Sequence, residues 1–330
     1  MEQIIRVYKP HIKEITLKNY VRNLHKILKD HNETEENLIK ILMDFDSITA
    51  SFSEHKLSVK QVFTATIIVY LEAIRADIVL IQKYQDYLTD IRLQQEELQG
   101  EKTKREEENW ATLNDLKNIT ARLEARVKLE DIGKKTMITR KEKKLLQDYL
   151  VASLYTMLPP RRNIYASVKI ILYPLFRSLV KSQLQENFLV INNDKKETMF
   201  FYFGNQKSKY FTAQTIKIKG KLKKIIKLYL QYHKEEYLLQ NAKGEKLSKN
   251  GLTKLLNKIF RIDNRQISSS MIRKIYATET LGDAHNQILT NATAMGHLPA
   301  TQSRYYVKKA SKVGINIGTT DPLYYVKHKE

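Results

Sequence analysis

KEKKLLQDYLVASLYTMLPPRR, residues 141–162, decides the fold prediction for this chain, because a helical pattern runs directly into two prolines. The pattern predicts a helix from about Arg140 that ends before Pro159, since proline disfavours helix both at and before its own position. Arg161 and Arg162 follow at once, on a stiff turn at the end of a buried helix. A rigid support keeps a guanidinium in register with a phosphate, so this turn is a candidate phosphate clamp. The alternative is a basic surface turn.

Between residues 188 and 218 the period changes from helical to extended. Three short β-prone runs, FLVI, ETMFFYF and FTAQTIKI, are separated by NNDK and GNQKSK, which predicts a small three-stranded antiparallel sheet. The second turn carries Lys207 and Lys209. A lysine at a hairpin tip is normally solvated, but one that reaches a phosphate can protonate a departing oxygen. After Gly220 the helical pattern returns, through KKIIKLYLQYH and LTKLLNKIF.

The stretch from 268 to 306 places an arginine, a histidine and two tyrosines in a fixed order. Arg273 is followed by a Met-Gly-His turn that ends at His297, and then by Tyr305 and Tyr306. A phenol attacks a phosphodiester only with a nearby base and a site that stabilises the phosphoryl charge, and a guanidinium fork suits that second task. Each residue alone has an ordinary structural role. Their order indicates phosphoryl transfer through a tyrosine, with no metal or other cofactor.

The N-terminal third predicts a helical domain with one basic surface. Residues 15–28 have apolar side chains at helical spacing, and the opposite face carries four cations: Lys18, Arg22, Lys26 and Lys29. That face suits a phosphate backbone, and an ordinary surface helix is an equal alternative. Further helices are predicted over residues 35–45 and 59–88. We therefore expect a helical domain over residues 1–90, a charged linker over 91–109, and a second domain over 110–330 that begins at Trp110.

Composition and charge narrow the class of protein. With only 10 Gly and 6 Pro in 330 residues, the chain is predicted to be mainly α-helical. It has no cysteine, and its 8 His lack metal-ligand spacing. Residues 1–134 carry 21 Lys and Arg against 23 Asp and Glu, whereas residues 135–330 carry 36 against 13. This excess favours a polyanion such as nucleic acid. With no signal peptide or long apolar run, we expect a soluble intracellular protein with no membrane contact.

Taken together, these features resemble the tyrosine recombinase (phage integrase) family. The phrase LYTMLPPRRNIY in particular is similar to integrases of virophages and of large DNA viruses of eukaryotes. The resemblance covers most of the chain and implies a helical core-binding domain, which holds DNA, followed by a mostly helical catalytic domain with the small sheet. It also makes a host nucleus or a viral factory compatible locations.

The resemblance also assigns roles to residues of the phosphate site. The first family arginine matches Arg162, with the adjacent Arg161 as the alternative. The hairpin lysine matches Lys207, with Lys209 as the alternative. The second family arginine matches Arg273.

The remaining positions of the family set include two departures. The residue three before the second arginine is usually His and is Ser270 here, and the acidic residue that often follows the first arginine is missing from positions 163–165. The later histidine matches His297. In many relatives the nucleophile lies nine residues past that position, which favours Tyr306 over Tyr305.

The implied activity is site-specific recombination of double-stranded DNA through a 3′-phosphotyrosyl intermediate, which integrates a viral or mobile element. The implied assembly is a homotetramer on two DNA duplexes. A type IB topoisomerase or telomere resolvase shares this chemistry and is one alternative. The other is a non-catalytic DNA-binding protein on a degenerate recombinase fold, which the Ser270 departure favours.

Overall fold

The computed structural model describes residues 1–98, 100–193, 198–204 and 213–296. The chain is mainly helical, as the sequence predicts, and it contains one small sheet. It divides into two compact units, with the boundary between Lys102 and Thr103. Within the described ranges, no helix is long and apolar enough to cross a membrane.

The first unit is built from helices around one apolar core. Its helices are α1 (Glu2–Tyr8), α2 (Glu14–Asp30), α3 (Leu38–Met43), α4 (Phe45–Ser51), α5 (Leu57–Ala73) and α6 (Ile78–Glu97). Two buried hydrogen bonds hold this core in register: Asn23 Nδ2 donates to Thr66 Oγ1 at 3.1 Å, and the Tyr84 hydroxyl donates to the Leu42 carbonyl at 2.9 Å. The segment predicted as a linker contains the end of α6, where Ile91 is buried.

Two predicted helices in this unit are each divided by a turn. The prediction of one helix over residues 59–88 is wrong, because Arg75 adopts a φ of 54° and Asp77 accepts a hydrogen bond from the Val79 amide at 2.7 Å to start α6. Residues 35–45 are likewise divided, since Asp44 caps α4 through the Ser47 amide at 3.0 Å. Apolar periodicity runs through both breaks, so the capping aspartates were the only local signal.

The second unit packs helices against a sheet. Its helices are α7 (Lys104–Asn109), α8 (Leu113–Leu129), α9 (Arg140–Thr156), α10 (Tyr173–Arg177), α11 (Gly220–Tyr232), α12 (Lys249–Ile259) and α13 (Ser269–Ala294). Its strands are β1 (Val168–Leu172), β2 (Asn187–Ile191), β3 (Met199–Phe203) and β4 (Gln214–Ile218). The helix α9 ends before the two prolines, as predicted, and Trp110 packs against the core.

The sheet has four strands in the order β1-β2-β3-β4, not the predicted three. The strands β2, β3 and β4 are antiparallel neighbours, but β1 pairs with β2 in parallel. A parallel pair needs a crossover connection, which α10 provides between β1 and β2. Phe176 of α10 packs edge-on against the rings of Phe188, Phe200 and Tyr202, so it covers the second face of the sheet. The missed strand VKIIL is followed by apolar residues rather than a polar turn, which hid its end.

One buried histidine makes the second unit sensitive to acid. Burial lowers the pKa of His233, and the charge of Lys143 lowers it further. The hydrogen bond to Tyr237 and the charge of Glu235 raise this pKa, but by less than burial lowers it. Its Nε2 donates to the Tyr237 carbonyl at 2.7 Å, and its Nδ1 lies 3.1 Å from the Tyr229 hydroxyl. The unfolded chain, with a His pKa of about 6.5, therefore binds a proton more readily than the folded unit does.

We expect the free energy of unfolding of the second unit to fall as the pH drops below about 6.5, the unfolded value, until the pH passes the lower folded pKa. Urea unfolding at several pH values between 7.5 and 5 measures this slope. His233→Gln should flatten the slope, whereas the control His25→Gln, at an exposed site beside Glu35, should leave it unchanged. Equal slopes for His233→Gln and the parent protein would contradict the assignment.

Candidate phosphate-binding site

The turn after α9 holds the two adjacent arginines on a buried support. The Tyr155 side chain is fully buried, and its hydroxyl donates to the Arg162 carbonyl at 3.4 Å. Asn163 donates to the Lys249 carbonyl at 2.9 Å and to Thr253 Oγ1 at 2.6 Å, which fastens the turn to α12. The backbone that carries Arg161 and Arg162 is thus fixed on both sides.

The Arg161 side chain turns inward onto the sheet. Its guanidinium carbon lies 4.1 Å from the centre of the Phe203 ring, and its Nη2 donates to Gln214 Oε1. Burial lowers the pKa of Arg161, while nearby Tyr165 has the opposite, smaller effect. The two supports among the described residues, Phe203 and Gln214, are neutral, so neither of them cancels the charge of this half-buried guanidinium.

The Arg162 side chain has the opposite environment. The residue is exposed, and within the described ranges no carboxylate lies at ion-pair distance from it. Its backbone is extended, with φ −59° and ψ 179°, and neighbouring side chains of an extended segment point to opposite sides. The structure therefore separates two arginines that the sequence left equivalent.

Arg273 lies in the first turns of α13. The Ser268 hydroxyl caps this helix by accepting from the Met271 amide at 3.4 Å. Further along, both Glu279 carboxylate oxygens accept from the Leu113 amide at 3.0 Å, which fixes α13 against α8. Arg273 is partly buried, and no carboxylate in the described part of the chain forms an ion pair with it.

A pair of buried tyrosines connects the two arginines. The rings of Tyr155 and Tyr165 lie edge to face, with centroids 5.6 Å apart. Burial is the largest effect on both hydroxyls and raises their pKa values. A smaller, opposite effect comes from Arg273 on the pKa of Tyr155 and from Arg161 on the pKa of Tyr165. Arg161 and Arg273, distant in sequence, thus each act electrostatically on one member of the same aromatic pair.

Other predicted site residues have more limited descriptions. Ser270 is exposed on the first turn of α13. Five predicted residues lie outside the described ranges: Lys207, Lys209, His297, Tyr305 and Tyr306. Within those ranges, no cluster of three or more His, Asp or Glu side chains is arranged to hold a metal ion.

The basic face predicted on the N-terminal helix is present on α2. All four cations, Lys18, Arg22, Lys26 and Lys29, are exposed. Lys18 Nζ lies 3.7 Å from Glu14, and Lys26 Nζ lies 5.1 Å from the centre of the Phe63 ring. Arg22, Lys26 and Lys29 form no ion pair with a described carboxylate, which leaves three charges of this face without a described counter-charge.

Sequence reasoning missed the residues that hold Arg161. Phe203 and Gln214 are directly opposite in the register of β3 and β4, so only the strand pairing brings them together. The run FTAQTIKI also contains Thr212, Thr215 and Lys217, so the sequence did not distinguish Gln214 from its polar neighbours. Comparisons with protein-family models, with curated proteins and with solved structures found no match.

The hydroxyl of Tyr165 yields a stability prediction. It is fully buried and has no hydrogen-bond partner among the described residues. Because an unpaired buried hydroxyl costs about 1–3 kcal/mol, Tyr165→Phe should leave the free energy of unfolding unchanged or increase it. The control is Tyr229→Phe, which removes a hydroxyl that donates to the Leu238 carbonyl at 2.9 Å and should destabilise by about 1 kcal/mol. Urea unfolding that gave equal losses for both variants would show that Tyr165 has a partner.

Proposed function

We propose that the protein cleaves and rejoins DNA strands through a phosphotyrosyl intermediate, as a site-specific recombinase of the tyrosine type. The observation that supports this most is the pair Arg161 and Arg273, two partly buried cations without a described carboxylate partner, which act electrostatically on the contacting residues Tyr165 and Tyr155. A buried charge needs a counter-charge. An oxyanion such as a DNA phosphate supplies that charge, and the basic excess of the second half of the chain attracts the polyanion.

In this proposal Arg161 takes the phosphate, in place of Arg162. A guanidinium whose plane is fixed by a ring and an amide is already ordered before the phosphate arrives, so less conformational freedom is lost on binding. An exposed guanidinium such as that of Arg162 must be ordered by the ligand itself. Arg273 provides the second set of donors from α13.

The chemical steps follow from the resemblance. The Tyr306 oxygen attacks the scissile phosphorus, and the bond between phosphorus and the 5′-oxygen breaks. Lys207 gives a proton to the departing 5′-oxygen, and His297 supports the phosphate or receives the tyrosine proton. The 5′-hydroxyl of a partner strand then attacks the phosphotyrosyl bond and releases Tyr306. The number of phosphoester bonds is conserved, so no nucleotide cofactor is required.

One observation favours a second function, DNA binding without cleavage. Ser270 stands where the resemblance expects a histidine, and it is exposed on α13. A serine hydroxyl does not titrate near neutral pH and is a poor replacement for a histidine in proton transfer. On this alternative the same arginines bind a DNA phosphate, and no covalent adduct forms.

A covalent-trapping assay separates the two functions. The full chain is incubated in EDTA with a library of nicked duplexes, and protein-linked DNA is detected after denaturation. We expect an adduct with the parent protein and with Tyr305→Phe, and none with Tyr306→Phe. DNA binding without any adduct would support the non-catalytic alternative.

The same assay tests which of the adjacent arginines acts on the phosphate. We expect Arg161→Gln to slow adduct formation by about 10²–10³-fold, the usual effect of removing one preorganised donor to a phosphoryl or acyl oxyanion. The matched control, Arg162→Gln, removes the same charge one residue away and should change the rate less than about tenfold. A larger loss of adduct rate in Arg162→Gln than in Arg161→Gln would show that Arg162 is the residue that binds the phosphate.

The basic face of α2 predicts a salt-dependent part of DNA affinity. Each lost phosphate contact reduces the slope of log K against log salt by about 0.9. We expect replacement of both Arg22 and Lys29 by Gln to reduce that slope by about 2. The control replaces Lys83 and Arg92, exposed on α6, and should leave the slope nearly unchanged. Equal slopes for both double variants would exclude α2 as the DNA-binding face.

A further inference from the structure

Arg161 is held by a single cross-strand pair. Phe203, the last residue of β3, and Gln214, the first of β4, are register partners in the antiparallel ladder. Phe203 supports the face of the guanidinium, and Gln214 accepts one hydrogen bond from its edge. Both contacts therefore come from one pair of register partners in the sheet.

The strand end that carries Phe203 is itself fixed. The amide of Gly204 donates to the Glu186 carbonyl at 3.0 Å. A Cβ at position 204 would lie 1.9 Å from the Leu184 carbonyl oxygen, so only glycine fits there. The neighbouring Tyr202 hydroxyl donates to the same Leu184 carbonyl at 3.1 Å. The platform under Arg161 is consequently anchored to the segment before β2.

The charge of these supports matters as much as their position. A carboxylate at position 214 would form an ion pair with Arg161 and cancel much of its field. The amide of Gln214 fixes the direction of the guanidinium through the same kind of hydrogen bond but adds no charge. A guanidinium has five N–H donors, and Gln214 is the only described acceptor for Arg161, so several donors remain for an anion.

We propose that Gln214 is a positioning residue, which orients the Arg161 guanidinium toward a phosphodiester while leaving its charge uncompensated. This inference rests on the proposed function for the identity of the ligand, a DNA phosphate. The binding of a simple oxyanion by Arg161 and the role of Gln214 in it do not require that the protein cleave DNA.

A double-mutant cycle tests the inference without cleavage. The full chain is titrated with inorganic phosphate against chloride at matched ionic strength, and the increase in melting temperature gives the apparent affinity. The set contains Arg161→Gln, Gln214→Leu and the double variant, with Gln287→Leu at an exposed site as the matched control. We expect Gln214→Leu to weaken phosphate binding by about tenfold, and to have no further effect when Arg161 is already Gln. Gln287→Leu should bind phosphate like the parent protein.

Gln214→Glu tests the requirement for a neutral support. This variant keeps an acceptor at the same place but adds a negative charge, so we expect it to weaken phosphate binding at least as much as Gln214→Leu. Three results would overturn the inference: parental phosphate affinity in Gln214→Leu, additive effects of Gln214→Leu and Arg161→Gln, or parental affinity in Gln214→Glu. Equal stabilisation of the parent and of Arg161→Gln would also overturn it, because Arg161 would then not bind the anion.

The trapping assay keeps this inference distinct from the proposed function. If adducts form, Gln214→Leu should lower the adduct rate at saturating DNA, and it should weaken DNA binding by no more than the loss of about tenfold expected for phosphate. If neither the parent protein nor any variant forms an adduct, but the double-mutant cycle shows coupling of Gln214 and Arg161 in phosphate binding, the proposed function fails and the role of Gln214 stands. If adducts form at the parental rate in Gln214→Leu, only the inference fails.

Discussion

The contact between Tyr155 and Tyr165 is the interaction on which the candidate site depends. Tyr155 belongs to α9, and Tyr165 belongs to the short turn after the arginines, so their contact closes the chain around Pro159 and Pro160. Tyr165 then packs edge-on against Phe201 and Phe203, with ring centroids 5.5 and 5.9 Å away. Aromatic pairs of this geometry contribute about 0.5–1.5 kcal/mol each beyond their buried area. One continuous aromatic cluster thus fixes the arginine turn relative to the sheet.

This arrangement has an electrostatic cost. Arg161 is half-buried on an aromatic platform, and burial disfavours its charged form strongly enough to lower its pKa. A carboxylate partner would remove most of that cost, but the acceptor present is the neutral Gln214. Elsewhere in the second unit, partly buried cations do have such partners, as Lys169 has with Glu186 at 2.7 Å. Acids are few in residues 135–330, with 13 Asp and Glu against 36 Lys and Arg, and among the described residues none of them forms an ion pair with Arg161.

The sequence was sufficient for some of these features and insufficient for others, for identifiable physical reasons. The end of α9 was predictable because proline acts locally, and the paired runs of β2, β3 and β4 were predictable from polar turns between them. The strand β1 was missed because its identity depends on parallel pairing with β2, a contact made across α10. The sequence could not distinguish the adjacent arginines, because they differ only in where their side chains point. Arg161 points onto Phe203 and Gln214 of the sheet, whereas Arg162 is exposed, and the sheet surface is formed by strands distant in sequence. Gln214 was missed for the same reason, since its partner Arg161 is brought to it only by the strand register.

The two arginines without a described carboxylate partner, Arg161 and Arg273, also connect binding with stability. Without an anion, the second unit carries the desolvation cost of Arg161 and the mutual repulsion of a basic chain, which has a formal net charge of +21. A ligand that binds only the folded state stabilises it by mass action, and a phosphate between these cations would also reduce the repulsion. An ion pair between Arg161 and a carboxylate of the protein would have stabilised the folded state. Without that pair, the same stabilisation would come from an anion that binds Arg161. A site of this kind would be less stable when empty than a site with an internal ion pair.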